Sequence, residues 1–168
     1  MNLVALMMDD VETARKARDE LANMSRDSLV RLEDAVVAYK DTNGDVKLDQ
    51  AVNLTATGAL GGAWWGLFLG AVFGLVAGVP AAMLAGAAGG AAGGALGGAF
   101  SDAGVSDEMM KETSAALDDG KAILFVLGRT EAPEKVAERL RTYGGTVVTS
   151  NLPKEIDEKI NNALKKAA

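Results

Sequence analysis

KAILFVLG, residues Lys121–Gly128, is an almost unbroken apolar run, and NLVALMM, Asn2–Met8, is its counterpart near the N-terminus. Runs of this length without polar alternation predict two central strands. Each is associated with a helix pattern and a further strand. After the first comes DDVETARKARDELANM, where Asp9 is placed to cap a helix and Glu12, three residues later, to complete a capping box. Ala14, Ala17, Leu21 and Met24 then share one face. LEDAVVAYK (Leu32–Lys40) reads as a strand, DTNGD as a turn with Asn43-Gly44 as the hairpin signal, and VKLDQAV as the returning strand.

The second half has the same order. VSDEMMKETSAALDDG is predicted helical from Ser106 as N-cap to Gly120 as its stop. After Lys121–Gly128, TEAPEKVAERLRTYGG carries Pro133 in its first turn and Gly144 at its end, and TVVTSN forms a strand. The tail from Pro153 places Ile156, Ile160, Ala163 and Leu164 on one face, with Lys165 and Lys166 near the C-terminal dipole. Two βαβ units of this kind predict an α+β fold, a ferredoxin-like sandwich with its helices on one face of a single sheet. Residues 1–50 and 102–152 make up this split domain, 51–101 an insert, and 153–168 a C-terminal amphipathic helix.

The insert is unlike its flanks. Residues 1–49 carry eleven acids and seven bases, residues 102–168 twelve acids and ten bases, and residues 50–101 none of either. Within it Gly58, Gly62, Gly66, Gly70, Gly74 and Gly78 recur every fourth residue. Pro80 interrupts, and Gly86, Gly90, Gly94 and Gly98 resume the phase, with Gly89, Gly93 and Gly97 as a second column. A four-residue period is a helical stripe, so the spacing predicts a glycine-zipper α-helical hairpin turning near Gly78-Val79-Pro80. Glycine costs about 1 kcal/mol per helical position in water. A bilayer or close helix–helix packing offsets this, since small residues let backbones approach. The outgoing arm, about 36 Å long, and the return arm, about 30 Å, each match a hydrocarbon core. Trp64, Trp65, Leu67, Phe68, Leu69, Val72, Phe73 and Leu75 supply the apolar contact surface, facing either lipid or a neighbouring subunit.

Several functions are disfavoured by composition. No Lys lies between Lys47 and Lys111, so the glycines lack the Lys and Ser or Thr of a phosphate loop. The chain contains no Cys and no His, which removes thiolate nucleophiles, Cys/His metal sites and histidine acid–base catalysis. The net charge of −6 argues against nucleic acid as a partner. Asp41, Asn43, Asp45 and Asp49 resemble a calcium loop, but Gly44 falls at the fourth position and not the sixth, and no Glu closes the loop. The carboxylate pairs Asp9-Asp10, Glu33-Asp34 and Asp118-Asp119 suit capping and solvation better than catalysis. Met7, Met8, Met109 and Met110 suit core filling better than soft-metal binding. Asn53, Thr55 and Thr57 are placed as an interfacial neck to the insert, or the mouth of a ring if subunits close into one.

LVALMMDDVETARKARDEL, LEDAVVAYKDTNGDVKL, the glycine-repeat hairpin, FSDAGVSDEMMKETSAALDDGKAILFVL and YGGTVVTSNL follow one another in an order that resembles the bacterial proteins grouped as domain of unknown function 1269. The resemblance extends over residues 2–152 and implies a split ferredoxin-like domain with a membrane-associated hairpin. It implies no catalytic residues and no cofactor. The expected protein is therefore a non-enzymatic homo-oligomer associated with membrane lipid, with no identifiable small-molecule substrate. The N-terminus has no signal-peptide pattern, so the expected place is the cytoplasmic membrane with the globular domain on the cytoplasmic side. A soluble oligomer shielding lipid or another hydrophobic ligand is the alternative, and a pore the third reading.

Overall fold

A computed structural model describes residues 2–44, 46–50, 107–117 and 120–165. The elements are β1 (Asn2–Met8), α1 (Val11–Arg26), β2 (Arg31–Lys40), β3 (Val46–Gln50), α2 (Asp107–Ala116), β4 (Ala122–Arg129), α3 (Pro133–Leu140), β5 (Thr146–Ser150) and α4 (Lys154–Leu164). The fold is α+β. One five-stranded sheet has the order β3-β2-β4-β1-β5, and every neighbouring pair is antiparallel. The two apolar runs occupy interior positions, as their composition requires: β4 is central and β1 lies next to it. Each helical crossover skips one strand, so β4 separates β1 from β2 and β1 separates β4 from β5.

The sheet is buried on both faces. On one, Ala14, Ala17, Leu21 and Met24 of α1, Ala137 and Leu140 of α3, and Ile160 and Leu164 of α4 pack with Leu124 and Val37. On the other, Met109 of α2 and the adjoining Leu117 pack with Leu3, Val36, Ile123 and Phe125. The expectation that all helices share one face is thus corrected. β4 is apolar at odd and even positions alike, and a sheet with two apolar faces needs a layer on each. Phe125 is fully buried, and burial of a side chain of this kind contributes about 1.5–3 kcal/mol.

Local chemistry sets the element ends. The cap of α1 is Asp10, not Asp9: Asp10 Oδ1 accepts from Thr13 N at 2.7 Å and Oδ2 from Thr13 Oγ1 at 3.0 Å. The N3 position therefore holds Thr13, so Glu12 is one residue early for a capping box. At the other end Leu29 N donates to Met24 O and Ser28 N to Ser25 O, the double closure of a Schellman motif, with Ser28 left-handed at φ 60°. The β2–β3 hairpin forms where expected, with Gly44, not Asn43, taking the positive φ of 83°. Gly44 N donates to Asp41 O, while Asp41 Oδ1 accepts from Asn43 N.

The C-terminal helix closes one sheet edge. Asn161 Oδ1 accepts from Val147 N of edge strand β5 at 2.7 Å, and Ser150 Oγ donates to Asp157 Oδ1 at 2.6 Å. The Val147 backbone donor, which would otherwise be open to another strand, is thereby occupied. Among the described residues, no helix is long and apolar enough to cross a membrane. The hairpin expected over 51–101 lies outside the described residues, as does Ser106, the expected N-cap of α2.

Candidate functional site

Every residue expected to form the zipper or the apolar contact surface, from Gly58 to Gly98 and from Trp64 to Leu75, lies outside the described residues. So do Asn53, Thr55, Thr57, Asp45 and the pair Asp118-Asp119. What the structure places is the chain leading into the insert, and a cavity on the α1/α3/α4 side of the sheet.

Asp49, one residue before the end of β3, is gripped by α1. Arg15 Nε donates to Asp49 Oδ2 at 2.5 Å, and Arg18 Nη1 donates to Asp49 Oδ1 at 2.8 Å and to its carbonyl oxygen at 3.1 Å. Arg15 also lies over the Tyr39 ring, 5.8 Å from its centroid. Arg18 is buried, and its Nε makes no hydrogen bond among the described residues; the Asp19 carboxylate is 3.6 Å away. Burial pushes the Asp49 carboxyl up, but hydrogen bonds from Arg18 and Arg15, with their charges, outweigh it and hold the group below the usual carboxylate range. Asp41 of the calcium-like pattern is also committed elsewhere: it accepts within its own turn and pairs with Lys47 at 3.5 Å. Among the described residues, no group of three or more acidic side chains is arranged to hold a metal ion.

Four of the remaining candidates have structural surroundings. Asp10 caps α1, and Asp34 Oδ1 accepts from Ala35 N. Met8 and Met109 are buried in the core.

The cavity lies beneath α3 and α4, with a volume of about 100 Å³. Val4 and Leu6 of β1, Val126 of β4, Val136 of α3, and Ile160 and Leu164 of α4 line it. Its polar wall is confined to Asn2, Arg129 and Thr130, which also line a second, polar basin with Ser28, Arg31 and Glu131. Thr130 is committed, donating from Oγ1 to Leu29 O at 2.8 Å and accepting from Ala132 N at 3.0 Å. Arg139 ties the roof to the neighbouring helix: its guanidinium donates to Glu20 Oε1 and Asp27 Oδ2 of the α1 end. Sequence patterning does not disclose the cavity, because its lining is gathered from separate segments between Asn2 and Leu164. The local signal for the Asp49 contact is the Arg15/Arg18 spacing beside the buried Ala14 and Ala17, which puts two cations along the border of the core face.

Residues 56–165 match the family described as a protein of unknown function, DUF1269. This chain belongs to that family. The DUF1269 match starts inside the charge-free stretch and extends through α2, β4, α3, β5 and α4. No curated protein and no solved structure matches the chain.

Proposed function

We propose that this DUF1269 protein is a non-enzymatic, self-assembling protein of the cytoplasmic membrane, its insert forming a glycine-zipper hairpin in lipid and its α+β domain lying on the cytoplasmic side. The observation that carries this reading is the 52-residue stretch, 50–101, without an ionisable group, joined at both ends to one sheet-based domain. A chain segment so apolar is unstable in water unless lipid or copies of itself cover it. Its entry from β3 and return to α2 place both ends on a common scaffold, as a hairpin requires. The Asp49 grip on α1 supports the same reading by fixing the chain just before it leaves the domain. The skipped-strand order of both crossovers supports a ferredoxin-like architecture for that scaffold.

Carbonate extraction of membranes tests the location: the protein is expected to stay in the pellet, and complete release into the supernatant overturns the membrane assignment. Mass determination of the particle in lipid nanodiscs tests assembly. Gly90→Leu and Gly94→Leu are expected to reduce the particle towards a single copy, because a branched side chain would separate closely packed backbones. Unchanged particle mass in both variants counts against the zipper.

A further inference from the structure

The α2 side of the sheet buries more surface than α2 covers. Val36 and Phe125 are register partners on β2 and β4, as are Ala38 and Ile123, so all four project from this face. All four are fully buried within the single chain, which leaves neither lipid nor a second copy as the source of that burial. Neighbouring strands do not bury a sheet face; a second layer lies on it. Among the described residues, α2 and the adjoining Leu117 supply that layer. But α2 is a helix of ten residues that packs over edge strand β5. β2 lies three strands from β5, about 14 Å at the usual strand spacing. A helix about 10 Å across, seated at β5, does not reach it. The layer over β2 and β4 is therefore supplied from outside the described residues.

Chain continuity and sequence pattern single out its source. The insert leaves from β3, the neighbour of β2, and leads back to α2 on this same face. Just beyond β3, Val52, Ala56, Ala59, Leu60 and Ala63 fall at i, i+4, i+7, i+8 and i+11, the spacing of one apolar helical stripe. Asn53, Thr55 and Thr57 fall beside that stripe. As a helix, Val52–Ala63 extends about 18 Å, and a five-residue strand run such as Ile123–Leu127 about 17 Å. We propose that Val52–Ala63 folds back as a helix onto the α2 side of the sheet and lays its stripe on β2 and β4 beside α2. The start of the insert then belongs to the core of the α+β domain, and the glycine-rich remainder from Trp64 onwards is what lipid or other copies cover. The inference concerns how the insert is seated, so it holds whether that remainder enters lipid or packs with other copies.

The test uses the full-length chain in phosphatidylcholine nanodiscs, with protonated Ile, Leu and Val methyl groups in an otherwise deuterated protein. Nuclear Overhauser contacts are expected between the Val36 methyls and those of Val52 or Leu60, with Val52→Ile and Leu60→Ile each moving one signal at nearly constant volume. Contacts of Val36 with Val105 and not with Val52 or Leu60 overturn the proposal, as do contacts with protonated lipid chains. Contacts seen only between differently labelled copies in a mixed sample overturn it in favour of a second copy. Hydrogen exchange gives an independent reading. Ala56→Asp, on the stripe, is expected to lower protection of the Val36 and Ala38 amides at least tenfold, and Thr57→Asp, beside it, less than twofold. Equal effects of the two substitutions count against the seat; if Ala56→Asp does not fold, the Overhauser contacts decide. Release by carbonate, which overturns the membrane assignment, leaves these expectations unchanged, the spectra then being recorded in buffer.

Discussion

Asp49 and Arg18 are joined twice, once through the carboxylate at 2.8 Å and once through the Asp49 carbonyl oxygen at 3.1 Å, both from Arg18 Nη1. Because β3 is an edge strand with β2 as its only partner among the described strands, this contact with α1 is its second anchor. Asp49→Ala leaves the buried Arg18 guanidinium without its main acceptor. The expected cost is about 2 kcal/mol, concentrated in the opening of β3. Hydrogen–deuterium exchange of the β3 amides checks it, with β1 and β4 amides changing less.

The same contact predicts a pH dependence. Asp49 has a folded-state pKa below its unfolded value of about 3.9, so its stabilising contribution is fully present above that value. The contribution disappears as pH falls through the folded pKa. The urea midpoint of the wild-type protein is expected to exceed that of Asp49→Asn at pH 7, and the gap to narrow only below about pH 4. A gap that narrows already between pH 7 and pH 5 would contradict the assignment of this group.

Ser28 occupies the left-handed position after α1, where the Schellman motif favours glycine. Its side chain carries a steric cost that glycine lacks. Ser28→Gly is expected to stabilise the domain by about 0.5 kcal/mol, the gain being partly offset by the greater freedom of glycine in the unfolded chain. Thermal unfolding monitored by circular dichroism reads this as an increase in Tm.

Gly128 shows the opposite case. Its backbone runs so close to β2 that an added Cβ would lie 2.6 Å from Arg31 O and 3.3 Å from Leu32 Cα. Both neighbours are backbone atoms and cannot swing away. Gly128→Ala is expected to destabilise by more than about 1 kcal/mol and to disturb the β2–β4 register irregularity between Leu32 and Asp34. A lowered urea midpoint together with weaker exchange protection at Leu32 checks it.

The elements were legible in the sequence where one physical cause dominated. Lys121–Gly128 and Asn2–Met8 had to be interior strands because, after their polar first residues, they are apolar on both faces, and Ala14, Ala17, Leu21 and Met24 had to face inward because their spacing puts them on one helical face. The cap of α1 was misplaced by one residue because Asp9 and Asp10 are chemically identical, and only the backbone position of Thr13 decides between them. Asp49 was grouped with Asp41 in a loop-like pattern, although alternation along β3 turns it towards α1.

By itself the sequence determined the family, the nine described elements in outline, and the charge-free stretch that makes lipid or self-association the central functional question. Hydrophobic periodicity and glycine spacing are local properties, and they survive without knowledge of any partner. The tertiary structure decided which face each helix covers, that α2 lies opposite α1, and that Arg31 of β2 is the register partner of Arg129 of β4. Those relationships depend on strand order and register between segments about a hundred residues apart, and a one-residue slip would have turned each side chain to the other face.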